Sequence, residues 1–333
     1  MTSLGELMID VQRLAVLREV ARAGSFAGAA AALHHTPSAV SQQVAALERS
    51  VGIVLVDRST RGVRLTEAGR LLVTTAESVH AELTVAERQL RELRDEGPPT
   101  LTVVTFPSAG EPLLAPALTP LTAGRHVAIT VVEAEPDGAL AAIREGTADL
   151  ALLYHFHLPE PPRGWAAAAG PGSYTPLLRE PFRLVVPATH PLADRPTIDL
   201  ADFSDDRWIH GWGGPAEVVD ALAALAGFRP QVVCRSSDYR FMSALVGAGV
   251  GVTLLPALAL PERDDVRVLH LDPPPTRFVG AWVPDRPWRN PTVERLLTTL
   301  RRRAEQLAGD PRAAGAHRET RSERRSEEQP WTR

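Results

Sequence analysis

A polar segment near the N-terminus carries side chains whose types and spacing suit the reading of DNA bases. Thr36 and Pro37 are typical of a helix start, because threonine caps free N–H groups and proline fits the first turn. On the predicted helix 37–51 the apolar side chains fall on one face. Serine and glutamine, which donate and accept hydrogen bonds at base edges, occupy the other. The candidate DNA contacts here are Thr36, Pro37, Ser38, Ser41, Gln42 and Gln43.

Arginines follow this helix in a predicted two-stranded wing. The run 54–66 predicts two short strands around Arg61, with Arg58 and Arg64 on the arms. Residues 10–64 contain seven arginines and four acidic residues, whereas the whole chain has a formal net charge of −4. That net charge excludes binding to nucleic acid by bulk charge alone, but a local basic patch can hold phosphates. A protein-binding helical module is the alternative, and the basic wing argues against it.

Two further helices must position this segment. Residues 10–23 show an amphipathic pattern ending near Gly24, and Ser25 is a good cap for a second helix with one apolar stripe. The second helix and the helix 37–51, joined by a tight turn, are typical of a helix-turn-helix motif. We therefore predict a winged helix-turn-helix domain over residues 1–65.

The residues of this region resemble those of LysR-type transcriptional regulators. Two positions depart from the family pattern, His35 in the turn and Val56 before the wing, and both concern packing. The resemblance implies a regulator that binds double-stranded operator DNA as a homodimer or homotetramer, with a small-molecule effector and RNA polymerase as further partners. The matching residues are Ser25–Phe26, Ala29–Ala30, Leu33, Ser38–Ala39, Ser41, Leu47–Glu48, Gly52, Leu55, Arg58 and Leu65–Thr66–Glu67–Ala68–Gly69.

A long linker helix is predicted over residues 66–96. Thr66 is its expected cap, and its apolar residues repeat as a heptad over four heptads, which indicates a coiled coil and hence a dimer. A single helix packed along the neighbouring domain is the alternative. Glycine and two prolines at 97–99 end the helix and mark a domain boundary. The candidate dimerisation residues are Leu72, Ala76, Val79, Leu83, Ala86, Leu90 and Leu93.

The second half of the chain alternates short apolar strands with helices, which indicates an α/β fold with mainly parallel sheets. Its landmarks, such as the strand DLALLY at 149–154, resemble the effector domain of the same family. By that resemblance residues 100–308 form a periplasmic-binding-protein-like pair of lobes. Lobe I is expected over 100–180 and 264–308, and lobe II over 181–263. The tail 309–333 has almost no aliphatic residues and is expected to be disordered.

An effector cleft is expected where strands end and helices begin, since ligands of open α/β sheets bind at the carboxyl ends of strands. Helix N-termini and hydroxyl groups there favour a small anionic effector. Ordinary strand–helix turns are the alternative interpretation of these positions. The candidate effector residues are Thr105, Pro107, Ser108 and Ala109 in lobe I, and His210, Gly211, Trp212 and Gly213 in lobe II.

Other functions find little support in the sequence. The alternative interpretation is an α/β enzyme with a helical dimerisation arm. Residues 100–308 offer no nucleophile–base pair and no metal triad, so we expect neither catalysis nor a cofactor. The single cysteine, Cys234, excludes a disulfide within the chain. The uncharged stretch 241–261 contains three glycines and is better explained by a helix, a turn and a strand than by a membrane span. With no export signal found, a cytoplasmic location is expected.

Overall fold

The computed structural model describes residues 9–59, 62–94, 98–123, 127–156, 161–195, 198–211, 214–286 and 290–309. The chain divides into two compact units. The first comprises Met1–Pro98 and Ala141–Ala148, and the second comprises Pro99–Leu140 and Asp149–Arg333. The predicted tail beyond residue 309 lies outside the described residues.

The first unit contains three short helices, a hairpin and a long helix. Asp10, Ser25 and Thr36 cap the short helices by accepting hydrogen bonds from backbone N–H groups of the first turn. The winged helix-turn-helix fold is confirmed. Its elements are α1 (Val11–Ala23), α2 (Phe26–Ala32), α3 (Pro37–Val51), β1 (Val56–Ser59), β2 (Gly62–Leu65) and α4 (Glu67–Leu93).

The buried face of α3 holds this unit together. Val40, Val44 and Leu47 are almost fully buried and pack with apolar residues of α1, α2 and the wing. Glu48 attaches the wing to the same helix, because its Oε1 accepts hydrogen bonds from the backbone N–H groups of Leu55 and Val56 at 2.9 and 3.2 Å. Burial of one face of α3 leaves the opposite, polar face free.

The start of α4 belongs to this core, which corrects part of the predicted dimer seam. Leu72 and Ala76 are buried among the side chains of the helix-turn-helix. The reason is the close approach of α4 at Gly69, whose backbone lies against the carbonyl oxygen of Leu55. Farther along the helix, Leu83 and Leu90 are 49% and 55% exposed.

Replacing Gly69 by alanine is expected to destabilise the first unit by about 1–3 kcal/mol, because the added Cβ would collide with the rigid backbone at Leu55. Thermal unfolding of the full-length protein, followed by far-UV circular dichroism, measures the change. Gly164→Ala is the matched control, since a Cβ at Gly164 meets nothing within 4 Å. Equal unfolding curves for the two variants would contradict the expectation.

The second unit is the predicted α/β fold. Its strands are β3 (Thr100–Thr105), β4 (Ala128–Glu133), β5 (Leu150–His155), β6 (Gly172–Pro187), β7 (Arg207–His210), β8 (Gln231–Arg235), β9 (Thr253–Pro256), β10 (Val266–Leu269) and β11 (Thr276–Pro284). Its α-helices are α5 (Pro107–Ala109), α6 (Ala115–Thr122), α7 (Pro136–Arg144), α8 (Gly164–Ala169), α9 (Gly214–Leu225), α10 (Tyr239–Gly247) and α11 (Pro291–Ala308). A π-helical segment, Gly110–Leu114, joins α5 to α6.

One long strand, β6, runs through both lobes. Its first part, Gly172–Pro181, pairs with β11, and its second part, Phe182–Pro187, pairs with β9 and β10. Lobe I therefore contains β4, β3, β5, β11 and the first part of β6 in that order. Lobe II contains the second part of β6 with β9 and β10, and the parallel pair β7–β8 is bridged to it between Trp208 and Val252.

Two expectations about this unit need correction. The sheets are mixed rather than mainly parallel, since β11 is antiparallel to β5 and β6, and β9 and β10 are antiparallel to β6. Residues 264–271 also belong to lobe II, not to lobe I as predicted, because β10 pairs with the lobe II part of β6. The chain returns to lobe I only between Asp272 and Thr276, where β11 begins.

Candidate functional site

The predicted DNA contacts on α3 share an exposed face. Thr36 also caps the helix, with its Oγ1 accepting from the N–H of Ala39 at 3.2 Å and lying 3.0 Å from the Ser38 hydroxyl. This surface is polar, carries no acidic side chain before the half-buried Glu48, and offers the donor–acceptor groups that base edges require. Thr36, Pro37, Ser38, Gln42 and Gln43 are exposed, and Ser41 is half-buried.

The wing lies next in the chain, and its described part places one arginine. Arg64 is exposed on β2, where its backbone is paired with that of Asp57 on β1. Arg58 belongs to β1, but its side chain is not among those described. Arg61 lies outside the described residues. The wing as described thus presents the Arg64 charge to solvent.

The second site lies at the carboxyl ends of the three parallel strands of lobe I. Ser108 follows β3, Glu135 follows β4, and Tyr154 is near the end of β5. The Tyr154 hydroxyl donates a hydrogen bond of 2.6 Å to Oε2 of Glu135. Because these strands are adjacent in the sheet, their carboxyl ends bring three polar groups from distant parts of the chain to one edge.

Arg277 of β11 is completely buried and contacts Ser108 and Tyr154 of this group. Its Nε donates to Oε2 of Glu180 at 2.6 Å, and its Nη2 donates to Oγ of Ser108 at 2.5 Å. The guanidinium also lies over the rings of Tyr154 and Phe106, at 4.5 and 4.8 Å from their centres. Nη1 has no hydrogen-bond partner among the described residues.

Burial and neighbouring charges raise the pKa values of Arg277, Tyr154 and Tyr239 in this cluster. Burial lowers the pKa of Arg277, but Glu180 raises it, with smaller contributions from the two nearby tyrosines, and the net direction is upward. Burial is also the main reason why the pKa values of Tyr154 and Tyr239 are raised. The guanidinium of Arg277 therefore stays charged, and the phenols of Tyr154 and Tyr239 stay protonated.

Helix α10 supplies the lobe II side of this site, which the sequence analysis did not expect. Tyr239 interacts with the Ser108 hydroxyl, and Nη2 of Arg240 lies 2.7 and 2.8 Å from the carboxylate oxygens of Glu111. Asp238 accepts hydrogen bonds from the first N–H groups of α10, so this helix N-terminus is already occupied. The capping pattern around Asp238 was the available sequence signal for this wall.

The predicted effector residues divide between the cluster and its surroundings. In lobe I, Ser108 is 4% exposed and is part of the cluster, Thr105 and Ala109 are buried beside it, and Pro107 is half-buried. In lobe II, the side chain of His210 is turned into the core against Trp208. Burial lowers the pKa of His210, which is therefore neutral at pH 7. Gly211 follows it half-buried, and Trp212 and Gly213 lie outside the described residues.

The described residues contain neither a candidate membrane span nor a candidate metal centre. Within this part of the chain, no helix is long and apolar enough to cross a membrane. Among the same residues, no three or more histidine, cysteine, aspartate or glutamate side chains are grouped as metal ligands would be. Cys234 is a half-buried free cysteine on β8.

Comparison with known proteins identifies the family of both halves of the chain. Residues 11–70 match the family "Bacterial regulatory helix-turn-helix protein, lysR family", and residues 94–305 match the "LysR substrate binding domain". The DNA-binding transcriptional dual regulator OxyR of Escherichia coli K12 is 28% identical over 313 residues, covering 92% of this chain and 95% of that protein. GltC, a transcriptional dual regulator of Bacillus subtilis, is 28% identical over 257 residues, covering 74% and 81%.

Solved structures show the same architecture. The Corynebacterium glutamicum OxyR C206 mutant has a TM-score of 0.53 and 26% identity, with 91% of this chain and 94% of that chain covered. Full-length OxyR C199D from Pseudomonas aeruginosa has a TM-score of 0.57 at 22% identity, covering 88% and 95%, and shows the fold alone. The relatives are transcriptional regulators and not enzymes. The chain therefore belongs to the LysR family and is a DNA-binding transcriptional regulator with a two-lobed effector-binding domain.

Proposed function

We propose that this regulator binds operator DNA as a homodimer or homotetramer, with α3 in the major groove and the wing arginines on flanking phosphates. The observation that carries this is the division of α3 into a fully buried apolar face and an exposed serine–glutamine face. A helix with this division, followed by a basic wing, matches the docking geometry of helix-turn-helix proteins. Contact with RNA polymerase and a cytoplasmic location belong to the same proposal, supported by the transcriptional role of the named relatives.

Fluorescence anisotropy of labelled DNA from the region upstream of the gene tests this proposal. The protein is titrated at several salt concentrations with and without competitor DNA. Tight binding that survives the competitor, with log K falling linearly in log salt, supports a specific regulator. Binding equal to that of random duplex, there and in a genome-wide selection of bound fragments, would contradict it.

Gln42→Ala is expected to reduce discrimination between operator and altered sequences by about 1–3 kcal/mol, because Gln42 is placed to reach a base edge. Arg64→Ala, and likewise Arg61→Ala, is expected to weaken binding to all sequences alike and to reduce the salt slope by about 1. The anisotropy titration measures both quantities. Arg267→Ala, which removes an exposed arginine of the effector domain, is the charge-matched control. Loss of discrimination in the arginine variants at an unchanged salt slope would reverse the assigned roles.

We further propose that a small molecule with a carboxylate or other accepting group binds between the lobes at the cluster of Ser108 and Arg277. The support is the donor character of this cluster, namely the Ser108 hydroxyl, the protonated Tyr239 and the Nη1 group of Arg277 without a partner among the described residues. Because Glu180 already neutralises Arg277, recognition would depend on these donors rather than on net charge. Gly211, Trp212 and Gly213 remain proposed effector-binding residues.

Effector screening asks which metabolite shifts the DNA-binding curve. Ser108→Ala is expected to lose that response while retaining DNA affinity, since Ser108 lies in the effector domain and not near α3 in the chain. An unchanged response in this variant would contradict the proposed site. Other relatives of 27–28% identity are hydrogen peroxide-inducible genes activators. Because this chain has one cysteine, we do not propose a response through a disulfide within the chain.

A further inference from the structure

We propose that the buried pair Glu180–Arg277 couples the effector site to the contact between the two lobes, with Arg277 as the positioning residue of Ser108. This inference rests on the proposed effector site and adds how occupancy of that site would be transmitted. Its basis is a continuous series of short polar contacts that begins on the lobe I wall and ends in lobe II.

The series has three contacts, and each is short. Nη2 of Arg277 donates to Oγ of Ser108 at 2.5 Å, and Nε of the same guanidinium donates to Oε2 of Glu180 at 2.6 Å. The other oxygen of Glu180, Oε1, accepts from the backbone N–H of Leu258 at 2.7 Å. Ser108, Glu180 and Arg277 are all at least nine-tenths buried. Leu258 lies between β9 and β10 of lobe II, yet its side chain packs against the lobe I core.

The pair sits where the chain passes between the lobes. Glu180 and Arg277 are directly opposite each other on β6 and β11. β6 enters lobe II two residues after Glu180, and the chain returns from lobe II just before Arg277. The N–H of Phe182 donates to the carbonyl of Pro275 at 2.7 Å, so the two crossovers are themselves joined. Movement of one lobe against the other must therefore act on this pair.

A pair that served only to stabilise the fold would not need to be charged. Two apolar side chains of similar volume stabilise a core as well as a buried ion pair does, because the pair must repay the loss of its hydration. A pair with only this role would also satisfy every buried donor, whereas Nη1 of Arg277 has no partner among the described residues. The arrangement is instead suited to a guanidinium that can exchange one hydrogen-bond partner for another.

The direction of the hydrogen bonds explains how a ligand would act. Arginine only donates, so Ser108 must accept from Arg277 and its own hydroxyl proton is free for another acceptor. Without an effector, the group next to the Ser108 hydroxyl is Tyr239 of lobe II. An effector with an accepting group would accept a hydrogen bond from the Ser108 hydroxyl or from Nη1 of Arg277. The guanidinium would then shift, and the hydrogen bond from the Leu258 N–H to Glu180 would change with it.

Hydrogen–deuterium exchange of the full-length protein tests the coupling, because the amide of Leu258 reports directly on its bond to Glu180. Glu180→Gln is expected to increase exchange of this amide. Ser108→Ala removes a hydroxyl that is hydrogen-bonded to Arg277 and not to the Leu258 amide, whose acceptor is Glu180. It is expected to increase exchange of this amide roughly tenfold, in line with the loss of one hydrogen bond to a charged group. Ser243→Ala is the matched control, since Ser243 is equally buried but bonds only to Tyr239 of its own helix.

Arg277→Lys distinguishes a specific coupling of Ser108 to Leu258 from a general loss of stability. A lysine ammonium can pair with Glu180 but lacks the fork that holds Ser108 at the same time. We expect Arg277→Lys to restore most of the protection at Leu258 that Arg277→Gln removes. In the lysine background Ser108→Ala should add no further exchange.

Two results would overturn the proposal. One is unchanged exchange at Leu258 in Ser108→Ala while Glu180→Gln increases it. The other is an effect of Ser108→Ala that is the same in the arginine and lysine backgrounds, since coupled sites are non-additive. These measurements use effector-free protein, so either result leaves the effector site standing if Ser108→Ala still removes the metabolite response. Loss of the site itself would instead appear as an unaltered metabolite response in that variant.

Discussion

Replacing Arg277 by methionine is expected to lower the free energy of unfolding of the effector domain by about 3–5 kcal/mol, because it leaves the carboxylate of Glu180 buried without its partner. The removed guanidinium also contributes stacking on Tyr154 and Phe106. Urea unfolding of the full-length protein, followed by tryptophan fluorescence, measures the loss. The described tryptophans all lie in the second unit, so this signal reports on the effector domain.

Two further variants test whether the loss of stability comes from the unpaired charge of Glu180. Arg267→Met removes an exposed arginine of β10 and is expected to change stability by less than about 0.5 kcal/mol. The double variant Arg277→Met with Glu180→Leu should recover a large part of the loss, since no unpaired charge remains. Recovery will be incomplete because the N–H of Leu258 loses its acceptor. A cost below about 1 kcal/mol for Arg277→Met alone would mean that Glu180 is not held as a charged partner.

Leu83→Glu is expected to dissociate the dimer and to weaken operator binding by about a hundredfold or more, because the two helix-turn-helix domains would no longer bind as one unit. Leu83 on α4 and Leu90, one heptad later on the same side of the helix, form an apolar stripe and are 49% and 55% exposed. This apolar stripe is where we propose that a second chain pairs, since Leu72 and Ala76 are taken up by the core. Sedimentation and DNA anisotropy measure the two effects.

Arg91→Glu provides the control for this variant. It introduces the same carboxylate on the same helix, but about 80–100° around the helix axis from Leu83 and Leu90, where Arg91 is exposed. We expect it to leave the dimer intact. If Leu83→Glu sedimented as the wild type does, the dimer contact would have to lie elsewhere on the chain.

The DNA-binding half of this protein was predictable because its signals are local. Caps, apolar spacing and the turn around residues 33–36 all act over a few residues, and each has its expected place in α1, α2 and α3. The exposed face of α3 follows directly from the burial of Val40, Val44 and Leu47. The start of α4 was predicted less well, because a heptad pattern does not distinguish a seam between chains from a core within one chain.

The effector half shows the opposite balance. Its α/β class and Ser108 came from the sequence, since strands and the helices after them are also local patterns. Arg277 and Glu180 were not found, because charged residues in or beside an apolar strand are usually solvent-exposed, and nothing in the local sequence indicates that these two are buried. Only the tertiary structure shows that they meet, since they are 97 positions apart in the chain and Arg277 is 169 positions from Ser108.

The lobe boundary and the second wall of the cleft have the same physical origin. β10 belongs to lobe II because of its pairing with β6, and α10 rather than His210 faces Ser108 because of how the two lobes close. The sequence by itself determined the family, through the resemblance of its residues to the family pattern. It also determined the DNA-binding helix and the existence of an α/β effector domain, both of which depend on short-range periodicity. The buried pair, the wall formed by α10 and the true extent of lobe II were decided by contacts between distant segments, which short-range patterns do not encode.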